Sequence, residues 1–231
     1  MKRCAFALLT LCVCASLFGA EPKTATPAEK DPARHTGFLA DIKKMNGNVE
    51  LVFVGDSITD GWRGGGKTVW QKTWSKNHPL NLGISGDRTE HVLWRMKNGE
   101  LDGYKAKLFV MMIGTNNGGD SAADVAEGIT AIIKEIQAKQ PQARLLLLGI
   151  FPRSEKPDAT RKKNEDVNAI IAKLDDGGKK IKYLDIGDKF LTADKTLPKD
   201  IMPDFLHPNL KGYEIWAKET DPVIQQMLAG Q

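Results

Sequence analysis

The chain has 231 residues, 41% of them hydrophobic and 27% charged, which fits one ordinary globular domain with a sizeable core. Its 33 basic and 29 acidic residues leave a formal charge of +4, too weak a bias to call for nucleic acid or an anionic membrane as partner. Beyond the N-terminus no apolar run approaches the ~20 residues needed to cross a bilayer, so stable membrane insertion is not expected.

Residues 1–20 carry a basic head (Lys2, Arg3), an apolar stretch from Ala5 to Phe18, and the small pair Gly19-Ala20. That succession predicts a signal peptide and a secreted or periplasmic protein. All three cysteines (Cys4, Cys12, Cys14) lie inside it, so the remaining domain has no disulfide, thiol nucleophile or thiolate metal ligand. A lipid on Cys12 or Cys14 is the weaker reading, because Leu11 and Val13 stand where lipoprotein signals place a small residue. Residues 21–37, with Pro22, Pro27 and Pro32 among polar neighbours, read as a flexible lead-in, and 38–231 as a single domain.

Within that domain short apolar runs alternate with helical patterns. The runs are Val49–Val54, Pro79–Leu82, Leu108–Ile113, Arg144–Leu148 and Ile181–Leu184, and four of the five are followed at once by Gly. Continuous apolar runs suit parallel strands buried on both faces. Helices are predicted over Thr89–Lys97, Ser121–Lys139, Ala159–Leu174 and Leu210–Leu228; in the second, Val125, Ile129, Ile132, Ile133 and Ile136 recur at helical spacing. The alternation predicts an α/β fold with helices on both faces of a parallel sheet. In such sheets ligands bind beyond the carboxyl ends of the strands. That directs attention to Gly55-Asp56-Ser57, Gly83-Ile84-Ser85-Gly86-Asp87 and Gly114-Thr115-Asn116-Asn117.

A serine just beyond a buried strand exposes its hydroxyl at the sheet's working edge, although an Asp-Ser pair there is more often a helix cap. Near the C-terminus stands Asp204-Phe205-Leu206-His207-Pro208. Histidine can accept a hydroxyl proton near neutral pH, and a carboxylate three residues away can orient its ring. Taken alone, that pair reads equally as a solvated Asp and His before a helix. Acyl transfer also needs donors for a developing oxyanion. The backbone N–H groups of Ser57 and Gly86 and the Asn116 side-chain amide are candidates, each with an ordinary turn role as its alternative. No spacing of His, Asp and Glu suggests a metal site. Trp62, Trp70, Trp74, Trp94 and Trp216 are read first as packing residues rather than sugar platforms. His35, His78 and His91 have no partner that the sequence identifies.

Taken together, Ser57, Gly86, Asn116 and His207, in order and in four separate blocks with Asp204 in a DxxH position, resemble the SGNH hydrolases, or GDSL-type esterases. The chain is most similar to the branch containing the catalytic subunits of brain-type platelet-activating-factor acetylhydrolase. Val52–Ser57, His91–Leu101, Gly114–Asn117, Gln140–Ala143 and Asp204–His207 carry that likeness across about residues 45–228. It implies a flavodoxin-like three-layer α/β/α sandwich on a five-stranded parallel sheet. It also implies a cofactor-free serine esterase in which Ser57, His207 and Asp204 act through an acyl-enzyme. Ser57, Gly86 and Asn116 would hold the oxyanion, and Ile58 and Leu206 would wall a small acyl pocket. The first block has Ile58 in place of leucine, and Ser85 stands where the acetylhydrolases tend to carry glycine.

The acetylhydrolase subunits work inside cells, so an export signal argues against carrying their lipid substrate over with the fold. A short-chain, acetyl ester on a small molecule or carbohydrate is the leading expectation. The alternatives are a lysophospholipase or acyl-thioesterase of the same family, and a non-catalytic ligand-binding domain. The resemblance permits a homodimer.

Overall fold

A computed structural model describes residues 21–230. Five strands, β1 (Leu51–Gly55), β2 (Pro79–Gly83), β3 (Leu108–Met112), β4 (Arg144–Leu148) and β5 (Ile181–Leu184), form one parallel sheet in the order β2-β1-β3-β4-β5. This is the flavodoxin-like order, with its reversal of direction between β1 and β3. Gly55 at the end of β1 pairs with Gly83 on one side and Met112 on the other, so three strand ends finish level.

Alternate side chains supply two cores. Val52, Val54, Phe109, Met111, Leu145 and Leu147 face one way, and Leu51, Phe53, Leu108, Val110, Leu146 and Leu148 the other. The first face is covered by α1 (Pro32–Met45), α4 (Thr89–Arg95), α5 (Ala122–Lys139) and α6 (Ala159–Ile171). The second is covered by α3 (Lys67–Trp74) and α7 (Leu210–Leu228), while α2 (Ser57–Asp60) is a single turn at the tip of β1. Trp62, Trp74 and Trp216 are fully buried around Phe53, as packing rather than as a sugar platform.

Side-chain caps fix the helix starts. Ser121 accepts from Asp124 N–H at 3.1 Å, Asp158 from Arg161 N–H at 2.8 Å, and Asn209 from Gly212 N–H at 3.2 Å. The last of these places the start of α7 at Leu210, where the sequence pattern put it, two residues beyond Pro208. Helix α4 ends at Arg95 and runs into a wider turn over Met96–Glu100, because Asn98 and Gly99 leave helical geometry.

The stretch 21–37, expected to be a flexible lead-in, is instead ordered. Lys23–Ala25 form a turn of 3₁₀ helix against α5, where Thr24 donates to the Asp124 carbonyl at 2.6 Å. The Thr24 carbonyl in turn accepts from Thr89 Oγ1 at 2.9 Å. Glycine is required opposite, since a Cβ on Gly128 would lie 2.4 Å from the Thr24 carbonyl. Helix α1 also starts at Pro32, not after it, with Asp31 accepting from Arg34 N–H at 3.1 Å. Proline at the first helical position is a start signal, and His35, Phe38 and Ile42 then bury one helical face. The signal-peptide expectation falls on residues 1–20 and so lies outside the described residues. Among the described residues no helix is long and apolar enough to cross a membrane.

Candidate active site

The turn after β1 is built by its glycine and aspartate. A Cβ on Gly55 would lie 2.2 Å from Thr59 Oγ1 and 2.5 Å from the Met112 carbonyl, so only glycine lets the chain turn this tightly. Asp56 caps the new helical turn, accepting from Ile58 N–H at 3.0 Å. Ser57 is thereby the first residue of α2, half-buried at the sheet edge, and its Oγ is 2.8 Å from His207 Nε2.

His207 reaches that point from a turn 150 residues away that Asp204 holds. Asp204 Oδ1 accepts from the backbone N–H of Leu206 at 3.1 Å and of His207 at 2.8 Å, while Oδ2 is 2.6 Å from His207 Nδ1. One carboxylate thus folds the turn and fixes the ring. Phe205 sits at φ +57 inside it, a left-handed geometry that costs a non-glycine residue roughly 1 kcal/mol. The Phe205 carbonyl is anchored by Ser154 N–H at 3.0 Å. Burial alone would raise the Asp204 carboxyl, but the hydrogen bonds from His207 and Leu206 outweigh it and hold the group below its ordinary value. The side chains of His207 and Asp204 are 43% and 56% exposed, so substrate and water reach them directly.

The remaining predicted residues divide. Gly86, at φ +75, lies on the exposed loop after β2; the neighbouring Ser85 lines the same cleft as Ser57. Asn116 is half-buried after β3, and its amide donates to the Asp87 carbonyl at 2.9 Å, tying the second loop to the third. Ile58 is not a pocket wall: it is 1% exposed and packed in the core around Phe53. Leu206 is half-buried against that same core, so the expected acyl pocket between the two does not form. The second residue of a helix turns its side chain inward here because the first, Ser57, faces out.

An open cleft of about 520 Å³ surrounds the serine and histidine. Gly61, Gly64 and Gly65 form part of its wall, with Pro208 and Tyr213 as its apolar members. Its polar rim is Arg34, Asp60, Arg63 and Ser85. Asp60 Oδ1 accepts from both Arg34 and Arg63 at 2.7 Å, and Oδ2 from Ser85 Oγ at 3.2 Å. Burial pulls the Arg63 guanidinium below its ordinary value, Asp60 counteracts this, and Arg34 pushes it down further. Ser85 belongs to the strand-end motif after β2, but neither arginine falls in a periodic pattern or a strand-end motif, and Arg34 lies in the stretch read as a flexible lead-in. Sequence reasoning therefore missed Arg34 and Arg63.

Behind Ser57, Asp56 is fully buried and its second oxygen has no hydrogen-bond partner among the described residues. Burial, with a smaller push from Asp87, raises this carboxyl to about 7 against the opposing pull of Ile58 N–H and His207. The histidines left unassigned have structural partners. His35 Nδ1 is 2.9 Å from Glu100, His78 Nδ1 is 3.1 Å from Asn48, and His91 accepts from Arg88 N–H at 3.1 Å at the start of α4.

Known proteins resemble this chain in sequence and in fold. Residues 53–215 match the GDSL-like lipase/acylhydrolase family. The platelet-activating factor acetylhydrolase IB subunit alpha2 of Rattus norvegicus is 39% identical over 196 residues, covering 85% of this chain and 84% of that one. The corresponding alpha1 subunit of Homo sapiens is 37% identical over 195 residues, covering 84% and 83%. Among solved structures, a member of the lipolytic G-D-S-L family from Veillonella parvula superposes with a TM-score of 0.66 at 19% identity, covering 77% of this chain and 99% of that one. The chain belongs to the GDSL-like lipase/acylhydrolase family and is a carboxylic ester hydrolase.

Proposed function

We propose that the protein is a secreted serine esterase that removes short acyl groups, acetyl above all, from small-molecule or carbohydrate esters. The observation that carries this reading is the unbroken contact chain from Ser57 Oγ to His207 Nε2 at 2.8 Å and from His207 Nδ1 to Asp204 Oδ2 at 2.6 Å. In the proposed reaction His207 takes the Ser57 proton as the oxygen attacks the ester carbonyl. Asp204 holds the ring in the required orientation and stabilises the imidazolium. The oxyanion is met by the N–H groups of Ser57 and Gly86 and the Asn116 amide, each worth roughly 3 kcal/mol. His207 then protonates the departing alcohol, and water, activated by the same imidazole, releases the acyl group.

The preference for a short acyl group rests on the cleft wall. A long chain needs continuous apolar surface, and here glycines, arginines and one aspartate surround the serine, with only Pro208 and Tyr213 to offer it. The relative named as an acetylhydrolase supports the same choice. A lysophospholipase or thioesterase would need an acyl channel that this lining does not supply. The proposed export rests on the basic head and apolar run of residues 1–20.

Hydrolysis of p-nitrophenyl acetate by wild type and Ser57→Ala tests the reading, with p-nitrophenyl esters of increasing acyl length as the second arm. Acetate release that disappears in Ser57→Ala, with rates falling as the acyl chain lengthens, is expected. Equal turnover by the two proteins would overturn the nucleophile assignment, and a long-chain optimum would overturn the substrate. Mass spectrometry of the exported protein, expected to lack its first twenty or so residues, tests the signal.

A further inference from the structure

The loop that carries Gly86 is gripped by a residue of the N-terminal arm. Lys30 lies between the 3₁₀ turn at Lys23–Ala25 and the start of α1 at Pro32. The arm is fastened on both sides of it: Ala28 N–H donates to the Glu90 carbonyl at 3.1 Å, and Asp31 caps α1. From there the Lys30 ammonium donates to the Ser85 carbonyl at 2.6 Å and to Asp87 Oδ1 at 3.2 Å. The second contact is a structural ion pair. Asp87 is buried, and Arg95, which it shares with Glu100, already donates to its Oδ2 through Nε at 3.0 Å and Nη2 at 2.8 Å. The first contact is of another kind, because the shorter bond goes to a neutral carbonyl. The Lys30 side chain is only 32% exposed, so water competes weakly for that bond.

The Ser85 carbonyl and the Gly86 N–H are opposite ends of one planar peptide, so fixing the first fixes the direction of the second. The rest of the loop is tied down as well. Ser85 Oγ donates to Asp60 Oδ2 at 3.2 Å, Asp87 N–H to the Ile84 carbonyl at 3.1 Å, and the Asn116 amide to the Asp87 carbonyl at 2.9 Å. Gly86 N–H, by contrast, has no hydrogen-bond partner among the described residues, and Ser85 lines the cleft of Ser57 and His207. An ammonium on the carbonyl oxygen also draws electron density from the amide nitrogen. Hydrogen bonds in such a chain strengthen one another by roughly 10–30%.

We infer that Lys30 is a positioning residue for the oxyanion: through the Ser85 carbonyl it aims the Gly86 N–H and makes it a stronger donor. This rests on the serine-esterase reading, in which Gly86 N–H is one of the oxyanion donors, and adds a residue from outside the four sequence blocks. Glycine suits the contact, since position 86 has φ +75 and a Cβ there would lie 3.3 Å from Lys30 Nζ.

Lys30→Met keeps the stem and removes the charge, Lys30→Gln is a second charge-free variant, and Lys30→Arg keeps the charge. On p-nitrophenyl acetate both charge-free variants are expected to lose roughly 3- to 30-fold in kcat, short of the 10²–10³-fold that removal of a whole oxyanion donor costs. KM should stay within about twofold, since the bond to the oxyanion exists only in the transition state. Methylboronic acid forms a tetrahedral, negatively charged adduct on a serine oxygen, and its affinity should fall by the same factor as kcat. Lys30→Arg should recover most of both. Loss of the ion pair alone would lower the urea midpoint and leave kcat and boronate affinity of the folded protein within about twofold of wild type. That result overturns this inference and leaves the esterase reading standing. So does a fall in kcat that boronate affinity does not follow. Wild-type turnover no faster than that of Ser57→Ala overturns the esterase reading and this inference with it.

Discussion

The Tyr213 hydroxyl donates to the Ile58 carbonyl at 2.7 Å, a buried bond joining the last helix to the turn that carries Ser57. The chain makes room for it with glycine, since a Cβ on Gly61 would lie 1.9 Å from the Tyr213 hydroxyl and one on Gly66 2.8 Å from its ring. Helix α7 begins three residues after His207, so this bond fixes nucleophile and base relative to each other from behind.

Tyr213→Phe removes the donor and leaves the Ile58 carbonyl buried without its partner. The expected cost is about 1–3 kcal/mol in unfolding free energy, measured by urea titration. Turnover of p-nitrophenyl acetate should also fall by a few-fold in kcat. A variant as stable and as active as wild type would show that packing of the ring alone sets the geometry.

Asp204 is more exposed than carboxylates that support a catalytic histidine in a closed site, yet it makes three contacts to a four-residue turn. Asp204→Asn can keep the backbone bonds through its remaining oxygen while presenting the wrong partner to Nδ1. The predicted loss in kcat is on the order of 10²–10⁴-fold with little change in KM. Fluorophosphonate labelling of Ser57 should slow in parallel. Retention of more than half the wild-type kcat would remove Asp204 from the proposed triad.

What the sequence made legible follows from how local each signal is. The five strands are short continuous apolar runs closed by glycine or polar residues, and all five fell within two residues of their expected limits. Ser57, Asp204 and His207 were legible because strand-end and turn motifs are contiguous, although 150 residues separate serine from histidine. The rim of Arg34, Asp60 and Arg63 was invisible, since it is assembled from two helical segments with no pattern linking them. Proline content misled over residues 21–37, where Pro32 starts a helix. Ile58 was misjudged because adjacency to a reactive serine says nothing about which way a helical side chain points.

Gly83 offers a test of how tightly β2 packs against the turn of Ser57. A Cβ there would lie 2.3 Å from the Asp60 backbone N and 2.8 Å from the Thr59 carbonyl carbon, and backbone cannot step aside as a side chain can. Gly83→Ala should destabilise by about 1–3 kcal/mol or more and displace Asp60, with loss of activity. Gly118→Ala serves as the control: no atom lies within 4 Å of its added Cβ, so its melting temperature should hardly move. Equal thermal shifts for the two would contradict the close approach.

Asp56 makes a pH-dependent prediction whose sign can be worked out. Its native carboxyl is raised to about 7 by burial, against roughly 3.9 in an unfolded chain. Between about pH 4 and pH 7 the native state therefore holds a proton that the unfolded state has released, and stability falls as pH rises through that window. Asparagine has the same shape and cannot ionise. Relative to wild type, Asp56→Asn should gain stability steadily from about pH 4 to pH 7 and then level off, by a total on the order of 1–4 kcal/mol. Taking the difference between the two proteins cancels every titration they share. Urea unfolding at intervals from acid to mildly alkaline pH measures it, and a difference that stays constant with pH would mean that the Asp56 carboxyl titrates alike in the native and unfolded states, so that burial does not raise it.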